Sequence, residues 1–168
     1  MGRAETKLLA AEGLPVSVLV DTPLGPIRLT WAEGALKEVD LEPGPAVGAG
    51  EGAPAVLAAE LAAYFADPRH RIGLPLQLAG TPFQQRVWEA LRAIPPGRTR
   101  SYGELAAELG TSPRAIGGAC RANPCPIVVP CHRVIGATGL GGFAGDTSGR
   151  KIEVKRWLLR HEGAAIAA

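Results

Sequence analysis

SYGELAAELGTSPRAIGGACRAN, Ser101–Asn123, is the stretch on which the fold of the C-terminal half turns. Ser101 is followed three residues later by Glu104, the spacing at which a hydroxyl and a carboxylate cap a helix start reciprocally. Gly110 stops that helix. Ser112 is the next cap, and Pro113 takes the first helical position, where a backbone N–H would go unused. The spacing predicts two short helices joined by a tight link, a helix-turn-helix candidate. Upstream, TPFQQRVWEALRAI repeats the device with Thr81, Pro82 and Gln84, and Phe83, Val87, Leu91 and Ile94 form its apolar stripe. The second half is therefore expected to be mostly helical.

The later helix of the pair is unusually bare. Ala115, Gly117, Gly118, Ala119 and Ala122 leave little side chain on it, and glycine inside a helix costs about 1 kcal/mol against alanine. Such a surface suits either close packing on another helix or close approach to a nucleic-acid backbone and narrow groove. Arg114 and Arg121 flank it, and guanidinium groups suit phosphate and base contacts. The segment alone leaves both uses open.

The first half reads as strands followed by a helix. PVSVLVDTPLGPIRLTWAEGALKEVDLE contains three short runs rich in β-branched or alternating apolar residues, punctuated by TPLGP and AEGA. PAVLAAELAAYFADP has helical spacing, with Pro54 near its start and Asp67-Pro68 at its end. Residues 1–77 are expected to form an α/β domain of antiparallel sheet plus helix, and residues 78–168 a second domain. Charge divides the same way. Residues 1–77 hold six Lys/Arg against ten Asp/Glu, a net of −4, and residues 78–168 hold twelve against six, a net of +6. That asymmetry suggests a polyanion-binding half.

The chain has 168 residues and no apolar run near the ~20 of a membrane span. Its N-terminus lacks the apolar core of a secretory signal. The three cysteines, Cys120, Cys125 and Cys131, cluster in one segment, which fits a reducing compartment better than a disulfide framework. A cytoplasmic protein that does not bind a membrane is expected. IVVPCHRVIG, Ile127–Gly136, sets Cys131 beside His132 behind a proline. Taken alone, Cys131 is a buried inert thiol or a reactive one. A zinc site from Cys120, Cys125, Cys131 and His132 is disfavoured by the spacing. A cysteine hydrolase is disfavoured because no Gly-rich oxyanion loop lies near Cys131.

PCHRV, with Asn123 upstream in ANPCPIVVPCHRV, resembles the active-site signature of the O6-alkylguanine-DNA alkyltransferases, the methylated-DNA–protein-cysteine methyltransferases. The resemblance extends back through FQQRVWEAL, IPPGRTRSYGELA and GGACRANP, and forward through GFAG and KRWLLRHEGA. It implies a ribonuclease H-like N-terminal domain and a C-terminal DNA-binding and alkyl-transfer domain with a helix-turn-helix. It implies irreversible, single-turnover transfer of an alkyl group from O6-alkylguanine in double-stranded DNA to Cys131. No cofactor or metal is implied, and a monomer is expected. Whether O4-methylthymine is a second substrate stays open.

The resemblance also implies roles. His132 takes the Cys131 proton through a bound water, Glu162 orients His132, and Asn123 braces the active-site turn. Adjacent residues in an extended strand point opposite ways, so a water or a turn at Pro130 has to reconcile Cys131 with His132. Tyr102 assists flipping of the target nucleotide and protonates the guanine, and Arg114 fills the space left in the duplex. Ala115, Gly117, Gly118, Arg121 and Ser101 belong to the DNA-facing surface. Val134 and Ala144 read the guanine edge through backbone groups, and Phe143 walls the pocket. Alkyltransferase-like relatives lack the cysteine and only flag the lesion, a reading that Cys131 opposes. GTSPRAIGG is about two residues shorter between the helices than is usual in the family, GDTSGRKIEV is longer, and Phe143 replaces a frequent tyrosine.

Overall fold

The structure is a computed structural model that describes residues 14–44, 52–143 and 149–165. The chain divides into two compact units. One comprises the residues up to Ala66 together with Ile72–Ala79, and the other comprises Asp67–Arg71 together with Gly80 onward.

The first unit holds three strands, β1 (Val16–Thr22), β2 (Gly25–Ala32) and β3 (Ala35–Asp40), in an antiparallel sheet of order β1-β2-β3. AEGA closes the β2–β3 hairpin with Glu33 and Gly34 both at positive φ, 54° and 76°, the conformation whose twist matches that of paired strands. On β2, Ile27 and Leu29 alternate into the core. Helix α1 (Ala55–Ala66) buries Leu57, Leu61 and Tyr64, one stripe at helical spacing, and lies against β1. Leu36 on β3 bonds to the connecting segment through Pro75 and Gln77.

The second unit holds helices α2 (Pro82–Arg92), α3 (Tyr102–Leu109), α4 (Pro113–Arg121) and α5 (Arg150–His161). Each cap expected for the first three is present. The Gln84 and Glu104 amides donate to the Thr81 and Ser101 hydroxyls at 3.1 and 3.0 Å, and both capping boxes close. Gly110 ends α3 in the left-handed conformation, and the Ala115 amide donates to Ser112 at 3.2 Å. The stripe on α2 differs slightly from expectation. Trp88 joins Val87, Leu91 and Ile94 in the core, and Phe83 is half-buried.

Two short strands, β4 (Arg100–Ser101) and β5 (Val134–Ile135), pair in parallel, with Arg100 opposite Val134 and Ser101 opposite Ile135. Ser101 thus caps α3 and also ties that helix start to the chain just after Cys131. Trp88 fixes the other side, because its Nε1–H donates to the Ala119 carbonyl on α4 at 2.8 Å in a buried setting. Removing that donor with little change of shape leaves a buried carbonyl unsatisfied, which costs about 1–3 kcal/mol. Trp88→Phe should therefore lower unfolding stability by about that amount, beyond a small packing loss. Denaturant titration checks this; an unchanged midpoint would mean that the bond contributes nothing.

Candidate active site

The chain from Asn123 to Arg133 forms a brace and then a turn. The Asn123 side chain donates to the Val129 carbonyl and accepts from the Cys125 amide, both at 2.9 Å. It thereby closes a loop in which Ile127 sits at φ 76°, a strained value for a β-branched residue. At Pro130 (φ −81°, ψ 65°) the chain makes an inverse γ-turn, with the Cys131 amide donating to the Val129 carbonyl at 2.8 Å. Cys131–Arg133 is then a single 3₁₀ turn. A turn rather than a strand answers the problem of alternation: Cys131, His132 and Arg133 are all buried.

Glu162 is buried as well, at the C-cap of α5. His132 Nε2 lies 2.8 Å from Glu162 Oε2. Arg133 donates through Nε to Oε1 at 2.9 Å and through a terminal nitrogen to Oε2 at 2.8 Å, and its other terminal nitrogen donates to the Ile94 carbonyl at 2.7 Å. Burial pushes the Glu162 carboxyl up, but the bonds from His132 and Arg133 outweigh it and hold the group well below the usual carboxylate range. An ionised carboxylate only accepts, so His132 Nε2 carries the proton. Burial pulls the His132 pKa down, partly offset by Glu162, so the ring is neutral at pH 7. Its Nδ1 then holds a lone pair. That atom is buried without a partner among the described residues, so His132 and Cys131 are not directly bonded.

A cavity of about 580 Å³ opens beside the turn. Its wall includes Cys131, Tyr102, Cys120, Phe143, Arg114 and Arg121, and also Ser101 and Gly117. Tyr102 donates to the Gly142 carbonyl at 3.4 Å. Its ring occupies space that only a glycine at 141 leaves free: Gly141 sits at φ 73°, and a Cβ there would lie 2.8 Å from Tyr102 Cε2. Burial, together with Cys120 and Cys131, pushes the Tyr102 phenol up to about 12, so it keeps its proton. Burial also pushes the Cys131 thiol up, opposed by the Asn123 side chain and the Lys155 charge.

The bare face of α4 is resolved by space. A Cβ built on Gly117 or Gly118 meets nothing within 4 Å, so these glycines do not serve helix packing. Arg114 and Arg121 are exposed. Ala115 and Gly118 lie on the same helix but outside the cavity wall. Val134 is buried, and its carbonyl accepts from Lys155 at 2.7 Å. Ala144 lies outside the described residues. Among the described residues, no cluster of three or more His, Cys, Asp or Glu side chains is placed to hold a metal.

Three residues at the site had no role assigned from sequence: Arg133, Cys120 and Lys155. Lys155 carried a readable signal, because it falls three residues after Ile152 and three or four before Leu158 and Leu159, on the apolar stripe of α5.

Residues 82–164 match the family described as 6-O-methylguanine DNA methyltransferase, DNA binding domain. A Mycobacterium leprae methylated-DNA–protein-cysteine methyltransferase is 44% identical over 152 residues, 85% of this chain and 91% of the relative. The chain belongs to this family. A Salmonella typhimurium member is 53% identical over 114 residues, 66% of this chain, and the match spans 64% of that protein's length. A Thermus thermophilus DNA base-flipping protein is 45% identical over 147 residues, 85% of this chain and 97% of the relative. The crystal structure of Mycobacterium tuberculosis O6-methylguanine methyltransferase superposes with TM-score 0.72 at 38% identity, covering 92% of this chain and 97% of that one. The mixed α/β fold is the family's.

The buried carboxylate predicts a pH signature. The Glu162 pKa lies below its unfolded value of about 4.3. Its contribution to stability is therefore full above that pH and is lost as pH falls through the lower folded value. Glu162→Gln should lower stability at neutral pH by about 3–5 kcal/mol, since Arg133 keeps a buried charge without its partner. It should also flatten the loss of stability below about pH 4.3. Unfolding curves measured from pH 7 downward check both; parallel curves for the two proteins would contradict the buried ion cluster.

Proposed function

We propose that this chain repairs DNA by accepting the alkyl group of O6-alkylguanine on Cys131, once and irreversibly. The observation that carries the reading is the placement of Cys131 in the wall of a large cavity, at a buried turn shared with the His132–Glu162 pair. α3 and α4 act as a helix-turn-helix, and α4 enters the minor groove, where its open Gly117–Gly118 face permits close approach. The target nucleotide turns out of the stack into the cavity, and Arg114 occupies the space it leaves.

The chemistry follows from the named atoms. The thiol proton passes through a water to His132 Nδ1, the atom left with a lone pair. The Cys131 sulfur attacks the alkyl carbon, an S–C bond forms and the C–O6 bond breaks, with its electron pair passing to the guanine. Tyr102, which stays protonated, donates a hydrogen bond to the guanine as that charge develops. The product thioether has no leaving group that water can displace, so turnover stops at one. A monomer acting in the cytoplasm fits this reading, and O4-methylthymine presents the same kind of alkyl–oxygen bond. No helix of the described residues is long and apolar enough to cross a membrane.

The similarity to a DNA base-flipping protein favours a second reading, in which the chain extrudes and marks a lesion without chemistry. Intact mass after mixing with an O6-methylguanine oligonucleotide separates the two. One methyl per chain, mapped to Cys131, is expected; binding with no mass change would establish the second reading instead. Cys131→Ala should keep DNA binding while abolishing transfer. Arg114→Ala should slow transfer from duplex about ten-fold or more while leaving transfer from the free base unchanged, because unstacking costs a few kcal/mol. Equal losses on both substrates would remove Arg114 from the flipping role.

A further inference from the structure

One buried cation takes no part in the chemistry outlined above. Lys155 on α5 is fully buried. Its Nζ donates to the carbonyls of Val134 at 2.7 Å, Leu140 at 2.5 Å and Gly142 at 2.9 Å. An ammonium has three N–H groups, and all three are engaged. Lys155 therefore has no N–H left to donate to a neighbour, and it acts on its surroundings as a fixed point charge. Among the described residues no carboxylate pairs with it. The Tyr102 ring centroid is 6.0 Å from Nζ, and Gly142, whose carbonyl Lys155 binds, lines the same cavity as Cys131, Cys120 and Tyr102; the Lys155 charge is felt at Cys131, Cys120 and His132. A buried charge without a counter-ion is strongly unfavourable. Every neighbour that could supply a negative charge here is a thiol or a phenol.

We propose that Lys155 is a positioning residue whose caged positive charge is the counter-ion of the Cys131 thiolate, while its three bonds hold the cavity wall from Val134 to Gly142 in place. The inference deepens the proposed function and rests on it only for the identity of the electrophile. Burial pulls Lys155 down to about 8, and the two thiols pull it back. Cys120 is pushed up to about 12 by burial and by Cys131. Of the two thiols, only Cys131 has the Asn123 side chain to favour its charged form. When the sulfur takes the alkyl group it becomes a neutral thioether, and Lys155 loses its anion. The charge that leaves the sulfur moves with the C–O6 electron pair to the guanine, where a proton neutralises it.

The test needs no DNA. The rate of Cys131 carbamidomethylation by iodoacetamide, located by peptide mapping, is measured against pH for wild type, Lys155→Met and Lys155→Arg, with folding checked by circular dichroism. Lys155→Met should raise the half-reactive pH by about one unit or more, which is about a ten-fold lower rate at neutral pH. Lys155→Arg, which keeps the charge, should recover part of that loss. A folded Lys155→Met with the wild-type midpoint would overturn the proposal and leave Lys155 a structural tie. If the methionine variant does not fold, Lys155→Gln, which keeps N–H donors without the charge, takes its place. An unchanged midpoint would overturn the proposal, and a raised one would support it. A Lys155-dependent midpoint in a protein that takes no methyl from O6-methylguanine DNA would sink the proposed function and leave this inference standing. Methyl transfer with an indifferent midpoint would sink this inference alone.

Discussion

The C-terminal unit depends on the burial of one carboxylate. Glu162 sits at the C-cap of α5, where the helix dipole disfavours a negative charge, and it remains ionised because His132 and Arg133 both bind it. Arg133 also reaches Ile94 at the end of α2. Three elements far apart in sequence (the end of α2, the Cys131–Arg133 turn and the end of α5) therefore meet at one ion cluster. Such a cluster adds little to net stability compared with an apolar core. What it adds here is register, since a bidentate guanidinium and an imidazole together admit only one orientation of the turn. That orientation leaves His132 with its proton on Nε2 and its lone pair on Nδ1.

A second set of bonds orients the same turn from the other side. The parallel pairing of β4 with β5 joins Ser101 to Ile135, so the residue that caps α3 also fixes the distance between Tyr102 and Cys131. Lys155 ties Val134, Leu140 and Gly142 to α5, and Asn123 ties Cys125 to Val129. The Trp88 bond to Ala119 holds α4 against α2. Each tie ends on a backbone atom. The cavity is thus shaped by main chain held at fixed points, and its polar character comes from a few side chains at Tyr102, Arg114, Arg121 and the cysteines.

The α4 helix shows how a local penalty acquires a meaning. Two adjacent glycines weaken it by about 1 kcal/mol each, and neither is needed for packing, because the space above them is open. The helix is held by its cap at Ser112 and by Ile116, Ala119 and Cys120 on its buried side. A helix anchored on one face and stripped on the other is suited to meet a surface that is itself crowded.

The helix boundaries were written in the sequence because capping is local. Thr81, Ser101, Ser112 and Gly110 act on backbone groups within three or four residues, so reading along the chain finds them. The hairpin at Glu33-Gly34 and the stripe on α1 are local in the same sense. The resemblance carried by PCHRV and KRWLLRHEGA also pointed to Cys131, His132 and Glu162 from the chain alone. Three things were decided only by tertiary structure. The Cys131–His132 dipeptide is a 3₁₀ turn, not a strand, because Asn123, Pro130 and the ion cluster constrain it together. Gly117 and Gly118 face open space, which no periodicity could distinguish from a packing face. The position of Lys155 on the apolar stripe of α5 was legible, but the carbonyls of Val134, Leu140 and Gly142 that receive its charge were supplied only by the fold. In all three the deciding partners are distant along the chain, and burial and charge pairing depend on which distant groups the fold brings together.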